Sequence, residues 1–179
     1  MRRLTFLAAA AAIAAALPSS ASAQARIPGV RGDFIGTYGG VARKFQQLAE
    51  AFPADKYGWT PGKGVRTVCE VLTHIAAENY DMGKAFGGPD APKELATVAT
   101  ETCLGDKAKV QAALKVSFEA IDATVRNMKD SSLEEPFKLF GMTQPRRAWL
   151  LATAEHSGEH LGQLIAYARM VQIVPPWSK

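Results

Sequence analysis

The chain has 179 residues, with 21 basic and 17 acidic side chains, two cysteines and three histidines. That length fits one domain with a sizeable core and leaves little room for a second. No basic run or interleaving of aromatic and basic residues of the nucleic-acid kind is present, so no nucleic-acid partner is expected.

The first residues read MRRLTFLAAAAAIAAALPSSASA: Arg2 and Arg3, an apolar alanine-rich run, a break at Pro18, then the small series Ala21, Ser22, Ala23. That order is a secretory signal peptide over residues 1–23, cut after Ala23. The apolar run from Leu4 to Leu17 is 14 residues, short of the roughly 20 needed to span a bilayer, so no stable membrane anchor is expected after cleavage. An exported protein, periplasmic or secreted, follows. Without Arg2 and Arg3 the 21 basic residues fall to 19 against 17 acidic, a net of +2 that says little about partners. Cys69 and Cys103 both remain after export, where an oxidising compartment permits a bond, although two separate buried thiols are the plainer alternative.

Residues 24–32, QARIPGVRG, read as a flexible lead-in, and the domain is expected over 33–179. From Asp33 as an N-cap, Phe34, Tyr38, Val41, Phe45, Leu48 and Phe52 step by four and three, one buried helical stripe that Pro53 stops. After the turn-rich ADKYGWTPGKG, Val68, Leu72, Ile75, Met82 and Phe86 mark a second helix over about 65–86. Residues 87–104 are a long link with a short helical piece around Pro92 to Val98. Val110, Leu114, Ser117, Ile121, Val125 and Met128 make a third amphipathic helix. DSSLEEPFKLFGMTQ reads as an irregular link whose Phe137 and Phe140 cap the end of the core. The last helix starts near Pro145 and runs to about Ile173, before Pro175 and Pro176; its seam is Trp149, Thr153, His156, His160, Leu164, Tyr167 and Val171. No strand pattern stands out, and four helices of about 20 residues with apolar stripes predict an all-α four-helix bundle. Many bundles dimerise, so a homodimer stays open, but no stripe requires a second burial.

The three histidines are the chemical signal. Residues four apart on a helix differ by about 40° in direction and about 6 Å in height, so His156 and His160 project from one face and can share a transition-metal ion. His74, beside the seam of the second helix and four residues before Glu78, is the only histidine left to complete a site. A lone core histidine is more often a hydrogen-bonded structural residue, but three buried imidazoles without partners are costly, and the combination favours a metal. The segment from His156 reads HSGEH, with Ser157 where a zincin protease needs glutamate, and no nucleophile elbow, phosphate loop or paired-cysteine metal motif occurs. Cys69, five residues before His74, points about 140° away on the helix and is excluded as a ligand alongside it.

A histidine within VCEVLTHIAAENY, an HxxxH within RRAWLLATAEHSGEHLGQLIAYARMVQIVPP and the spacing between them make the chain similar to the DinB/YfiT-like family of metal-binding four-helix bundles. The resemblance covers essentially all of the chain after the leader. It implies an up-down-down-up topology and a three-histidine site, His74, His156 and His160, for a divalent metal, typically zinc or nickel, with iron or manganese as alternatives and with open positions for water or substrate. It also implies that Cys69 and Cys103 lie at the same end of the bundle, where they could bond. Thiol-dependent S-transferases occur in the family, but the export signal departs from its cytoplasmic members and puts a cytosolic thiol cofactor in doubt.

Three readings stand at this point. One is a metal-dependent transferase or hydrolase acting on an unknown small molecule through activated thiol or water, with Glu78 as general base or further ligand, against the plainer role of a solvated or salt-bridged carboxylate, and Gln163 as a residue that orients water, against the plainer role of a surface amide. The second is a non-catalytic metal-binding or stress-response protein of the cell envelope. The third is an interaction module whose histidines are merely buried.

Overall fold

In the computed structural model, which describes residues 27–95 and 106–178, four long helices carry the architecture. They are α1 (Gly29–Ala51), α2 (Val68–Gly83), α3 (Lys107–Asn127) and α4 (Arg146–Met170). The signal peptide expected over residues 1–23 lies outside the described residues. No helix among the described residues is long and apolar enough to cross a membrane.

Helix α1 begins four residues before the expected cap. Its N-cap is Pro28 in an extended conformation, with no side-chain cap bond, so Asp33 lies inside the helix and the expected lead-in is helical from Gly29. The reason is tertiary. Arg31, 9% exposed, donates from Nε to Asp130 Oδ1 at 2.5 Å and from a guanidinium nitrogen to the carbonyls of Val125 and Arg126 at 3.2 and 3.1 Å. It thereby supplies donors to the last carbonyls of α3, where helix ends run short of them, and holds the first turn of α1 against it.

The start of α2 is fixed more locally. Thr67 and Glu70 form a reciprocal capping box, Thr67 Oγ1 accepting from the Glu70 amide and Glu70 Oε2 from the Thr67 amide. The amides of Val68 and Cys69 donate to the carbonyls of Trp59 and Tyr57, so the segment between α1 and α2 takes up the remaining free donors. The second helix therefore begins at Val68, with a short 3₁₀ turn, Lys84–Phe86, after its end.

Contacts at the helix ends define the topology. Lys107, at the start of α3, donates to the carbonyls of Glu50 and Phe52 at the end of α1. Tyr57, whose carbonyl receives the start of α2, bonds through its hydroxyl to Ala49 near the same end. Thus α2 and α3 both leave from the end where α1 finishes. Arg146, at the start of α4, donates to the carbonyl of Ala85 just past α2, while Tyr167, near the end of α4, donates to the carbonyl of Arg66 just before α2. The order is up-down-down-up, with α2 and α3 parallel and α4 antiparallel to both. Phe45, Leu48, Leu72, Ile75, Leu114, Ile121, Trp149 and Leu164 fill the core between them.

The link before α4 is not irregular. Residues Pro136–Leu139 (β1) and Met142–Pro145 (β2) form an antiparallel hairpin, with Leu139 opposite Met142 and a two-residue turn at Phe140 and Gly141, both at positive φ (49° and 79°). A turn with two positive φ values matches the right-handed twist of paired strands. Phe137 packs partly against the core, and its carbonyl accepts from Trp149 Nε1 at 3.0 Å; Phe140 is 53% exposed, but its ring meets the buried Trp149 edge-on with centroids 6.3 Å apart.

Cys69 is fully buried and is not a free thiol. Cys103, the partner that the resemblance allows, lies outside the described residues. Of the helical piece expected around 92–98, residues 93–95 are helical and the rest is likewise outside.

Candidate metal centre

Helices α2 and α4 bring the three histidines to one point. The ring centroids of His74, His156 and His160 are separated by 4.7–5.2 Å, with the planes tilted 71–78° to one another. One ring nitrogen from each lies within 4.8 Å of the other two, a spacing that one ion can bridge. Both partners on α4 sit at the edge of its buried stripe. Ser157 and Leu161 occupy the stripe itself, and all three histidines are half-buried. The cluster therefore lies nearer the bundle surface than a site on the central seam.

The donor atoms fit a cation. The Nε2 atoms of His74 and His156 are buried and have no hydrogen-bond partner. A buried polar atom without a partner is uncommon and calls for an explanation such as an ion. Burial, then the positive charge of Arg66, then the other two rings hold His74 down to about 4, and burial followed by His160 lowers His156. At neutral pH both rings are thus neutral and each keeps a lone pair for coordination.

A hydrogen-bonded chain lies directly behind the cluster. Ser117 Oγ donates to the Leu114 carbonyl at 2.8 Å and accepts from Asn79 Nδ2 at 3.0 Å. The amide oxygen of Asn79 accepts from the Tyr38 hydroxyl, leaving Ser157 Oγ, 2.9 Å away, as donor to the Tyr38 oxygen. One residue from each helix is joined in this way, and Ser157 is the immediate neighbour of His156. Burial pushes the Tyr38 phenol above the usual range, so it stays protonated and keeps this donor order.

The expected acidic residue is near the site but not part of the donor cluster. Glu78 is half-buried, and burial followed by the charge of Asp81 raises its carboxyl above the ordinary carboxylate range. Gln163, read as a surface amide or a residue that orients water, instead meets His160: its Oε1 lies 2.8 Å from His160 Nδ1, and its Nε2 donates to the Tyr167 hydroxyl at 2.7 Å. Arg66 and Tyr167 are the residues at this site that sequence reasoning missed. The signal for Tyr167 was its helical spacing of four from Gln163; for Arg66 there was none.

A four-helix bundle with an imidazole cluster between its second and fourth helices defines a class of helical proteins with a metal-competent histidine site. The family model described as the DinB superfamily matches residues 38–164, and the chain belongs to that superfamily. Solved structures agree on the fold. A DinB-like protein from Bacillus subtilis is 19% identical, with a TM-score of 0.65, over 82% of this chain and 97% of that one. A DinB-like protein from Bacillus cereus is 16% identical, with a TM-score of 0.68, over 80% and 93%. YfiT from Bacillus subtilis, described as a probable metal-dependent hydrolase with an unusual four-helix bundle topology, is 17% identical, with a TM-score of 0.63, over 80% and 88%. No curated protein sequence gives a significant match.

Proposed function

We propose that this is an exported metal-dependent enzyme of the hydrolase or transferase type, in which His74, His156 and His160 hold one divalent ion, zinc or nickel first among the candidates. The observation that carries the reading is the convergence of one ring nitrogen from each histidine within 4.8 Å of the others, together with the buried Nε2 atoms of His74 and His156 that have no hydrogen-bond partner. The description of YfiT as a probable metal-dependent hydrolase supports the hydrolytic branch, and the order of residues 1–23 supports export. When bound, the ion supplies Lewis acidity, which in favourable zinc sites brings the pKa of water to about 7 and favours the thiolate form of a thiol.

The chain's own residues divide the remaining work. The two rings with lowered pKa values stay neutral, so no proton competes for their lone pairs near neutral pH. The half-buried Glu78 carboxyl, raised in pKa by burial, is assigned the proton-accepting role at the edge of the cluster. The substrate is a small molecule that reaches the half-buried cluster.

The deciding experiment is elemental analysis of the purified protein and of His160→Ala, followed by turnover measurements on panels of ester, amide and thiol-transfer substrates. One equivalent of zinc or nickel in the wild type, its loss in the variant and metal-dependent turnover support the reading. Metal retention with no turnover on any panel leaves the non-catalytic envelope protein in its place; no metal and no affinity for added zinc or nickel leaves an interaction module.

A further inference from the structure

A histidine binds a metal only through a nitrogen that carries no proton, and which nitrogen that is depends on what the other one touches. For His160 the answer is written in a chain of hydrogen bonds that ends on a backbone carbonyl. The carbonyl of Arg66 can only accept, so the Tyr167 hydroxyl, 3.0 Å away, donates to it. The single hydroxyl proton is then used, and the Tyr167 oxygen is left to accept from Gln163 Nε2 at 2.7 Å. That places Gln163 Oε1, an acceptor, against His160 Nδ1 at 2.8 Å, so Nδ1 is the atom that carries the proton. Nε2 is left with its lone pair.

We infer that Tyr167 and Gln163 are positioning residues that set the tautomer of His160, with the Arg66 carbonyl as the fixed end of the relay. The reverse orientation of the Gln163 amide would take the Tyr167 proton away from Arg66 and put a proton on His160 Nε2, blocking its lone pair. The geometry is rigid at its far end, because Tyr167 is buried and its ring meets Trp59 edge-on with centroids 5.3 Å apart. The relay also crosses between helices. Arg66 immediately precedes the capping residue of α2, the helix that carries His74, while the other members lie on α4. One set of bonds thus orients a ring on α4 and ties it to the start of the helix that supplies the third imidazole.

The inference rests on the metal reading only for its purpose, and the test separates the two. Long-range nitrogen–proton correlation spectra of metal-free, ¹⁵N-labelled protein, recorded well above the ordinary imidazole pKa of about 6.5, report the tautomer of His160 directly, and zinc competition titrations report affinity. In the wild type His160 carries its proton on Nδ1. Tyr167→Phe, which keeps the ring against Trp59, and Gln163→Leu both give a tautomer mixture and weaken zinc binding about 10-fold or more. Gln163→Glu, which still accepts from Nδ1, restores the Nδ1–H form and brings affinity back to within about threefold of wild type. A wild-type His160 protonated on Nε2, or a Gln163→Leu protein with unchanged tautomer and affinity, overturns the relay. A wild type with the Nδ1–H tautomer that binds no zinc supports the relay and removes the metal.

Discussion

Asn79 offers a test of how the bundle holds its site. It is 2% exposed, donates to Ser117 on α3 and accepts from Tyr38 on α1. Asn79→Ala removes both bonds and leaves a void where the amide stood. Ser117 keeps its bond to the Leu114 carbonyl and loses only an incoming donor, and the Tyr38 proton can turn to Ser157, so neither partner bears the full penalty of an orphaned group. The two lost bonds and the cavity together come to about 2–4 kcal/mol of stability. Urea denaturation followed by circular dichroism reads this as a lowered midpoint at unchanged slope. Because the chain runs through Ser157 beside His156, the same variant should also bind zinc more weakly. A loss under about 1 kcal/mol would mean the four-helix polar chain is not formed as described, because even a single buried hydrogen bond contributes that much.

Three further outcomes follow from other parts of the molecule. Zinc at about a thousand times its dissociation constant should stabilise the wild type by about 4 kcal/mol, a rise in Tm on the order of 10 °C for a domain of this size; His160→Ala should lose most of that rise in differential scanning fluorimetry, and an equal rise in both proteins would place the ion elsewhere. Arg31→Ala strips two hydrogen bonds from the end of α3 and one from Asp130 just beyond it, and should lower stability by about 1–3 kcal/mol; a neutral result in urea titration would show that the first turn of α1 is not anchored by this residue. Bonds from the Thr67 backbone and side chain lower the Glu70 carboxyl below its ordinary 4.5, so its contribution is present above 4.5 and is lost as pH falls through the lower, folded value. Glu70→Gln, which keeps an acceptor without a titrating group, should therefore flatten the acid limb of a stability–pH profile, and an unchanged limb would remove Glu70 as its source.

What could be read from the sequence was whatever local chemistry decides. The stripe from Phe34 to Phe52 is visible because hydrophobic periodicity alone sets the buried face of α1, and Pro53 stops it without help from the rest of the fold. The first turn of the same helix was not visible, because Gly29 to Gly32 has no capping signature and is held by Arg31 reaching residues about a hundred positions away. The hairpin escaped for a related reason. Its strands are four residues long, and Phe140-Gly141 lacks the Asn or Asp that ordinarily announces a turn with two positive φ values. At the site, scarcity and the spacing of four made the histidines legible, whereas the partner of Gln163 depends on a carbonyl from another element that no spacing rule reveals.

The register of two antiparallel helices explains why the imidazoles meet. Tyr167 and Arg66 touch at one end of the α2–α4 pair. His160 lies seven residues back from Tyr167, about 10 Å along the axis at 1.5 Å per residue, and His156 lies eleven back, about 16 Å. Along α2, His74 is six residues on from Val68, about 9 Å, and Arg66 and the extended Thr67 before it add a few ångströms, which gives a level between the two rings of α4. The other end agrees: Arg146 reaches the Ala85 carbonyl, ten residues before His156 and eleven after His74. Contacts at both ends therefore pin the same alignment, and a slip of one turn, about 5.4 Å, would carry His74 past one of its partners. The cluster is thus a property of helix register held from both ends, and the bond at its nearer end belongs to the same relay that orients His160.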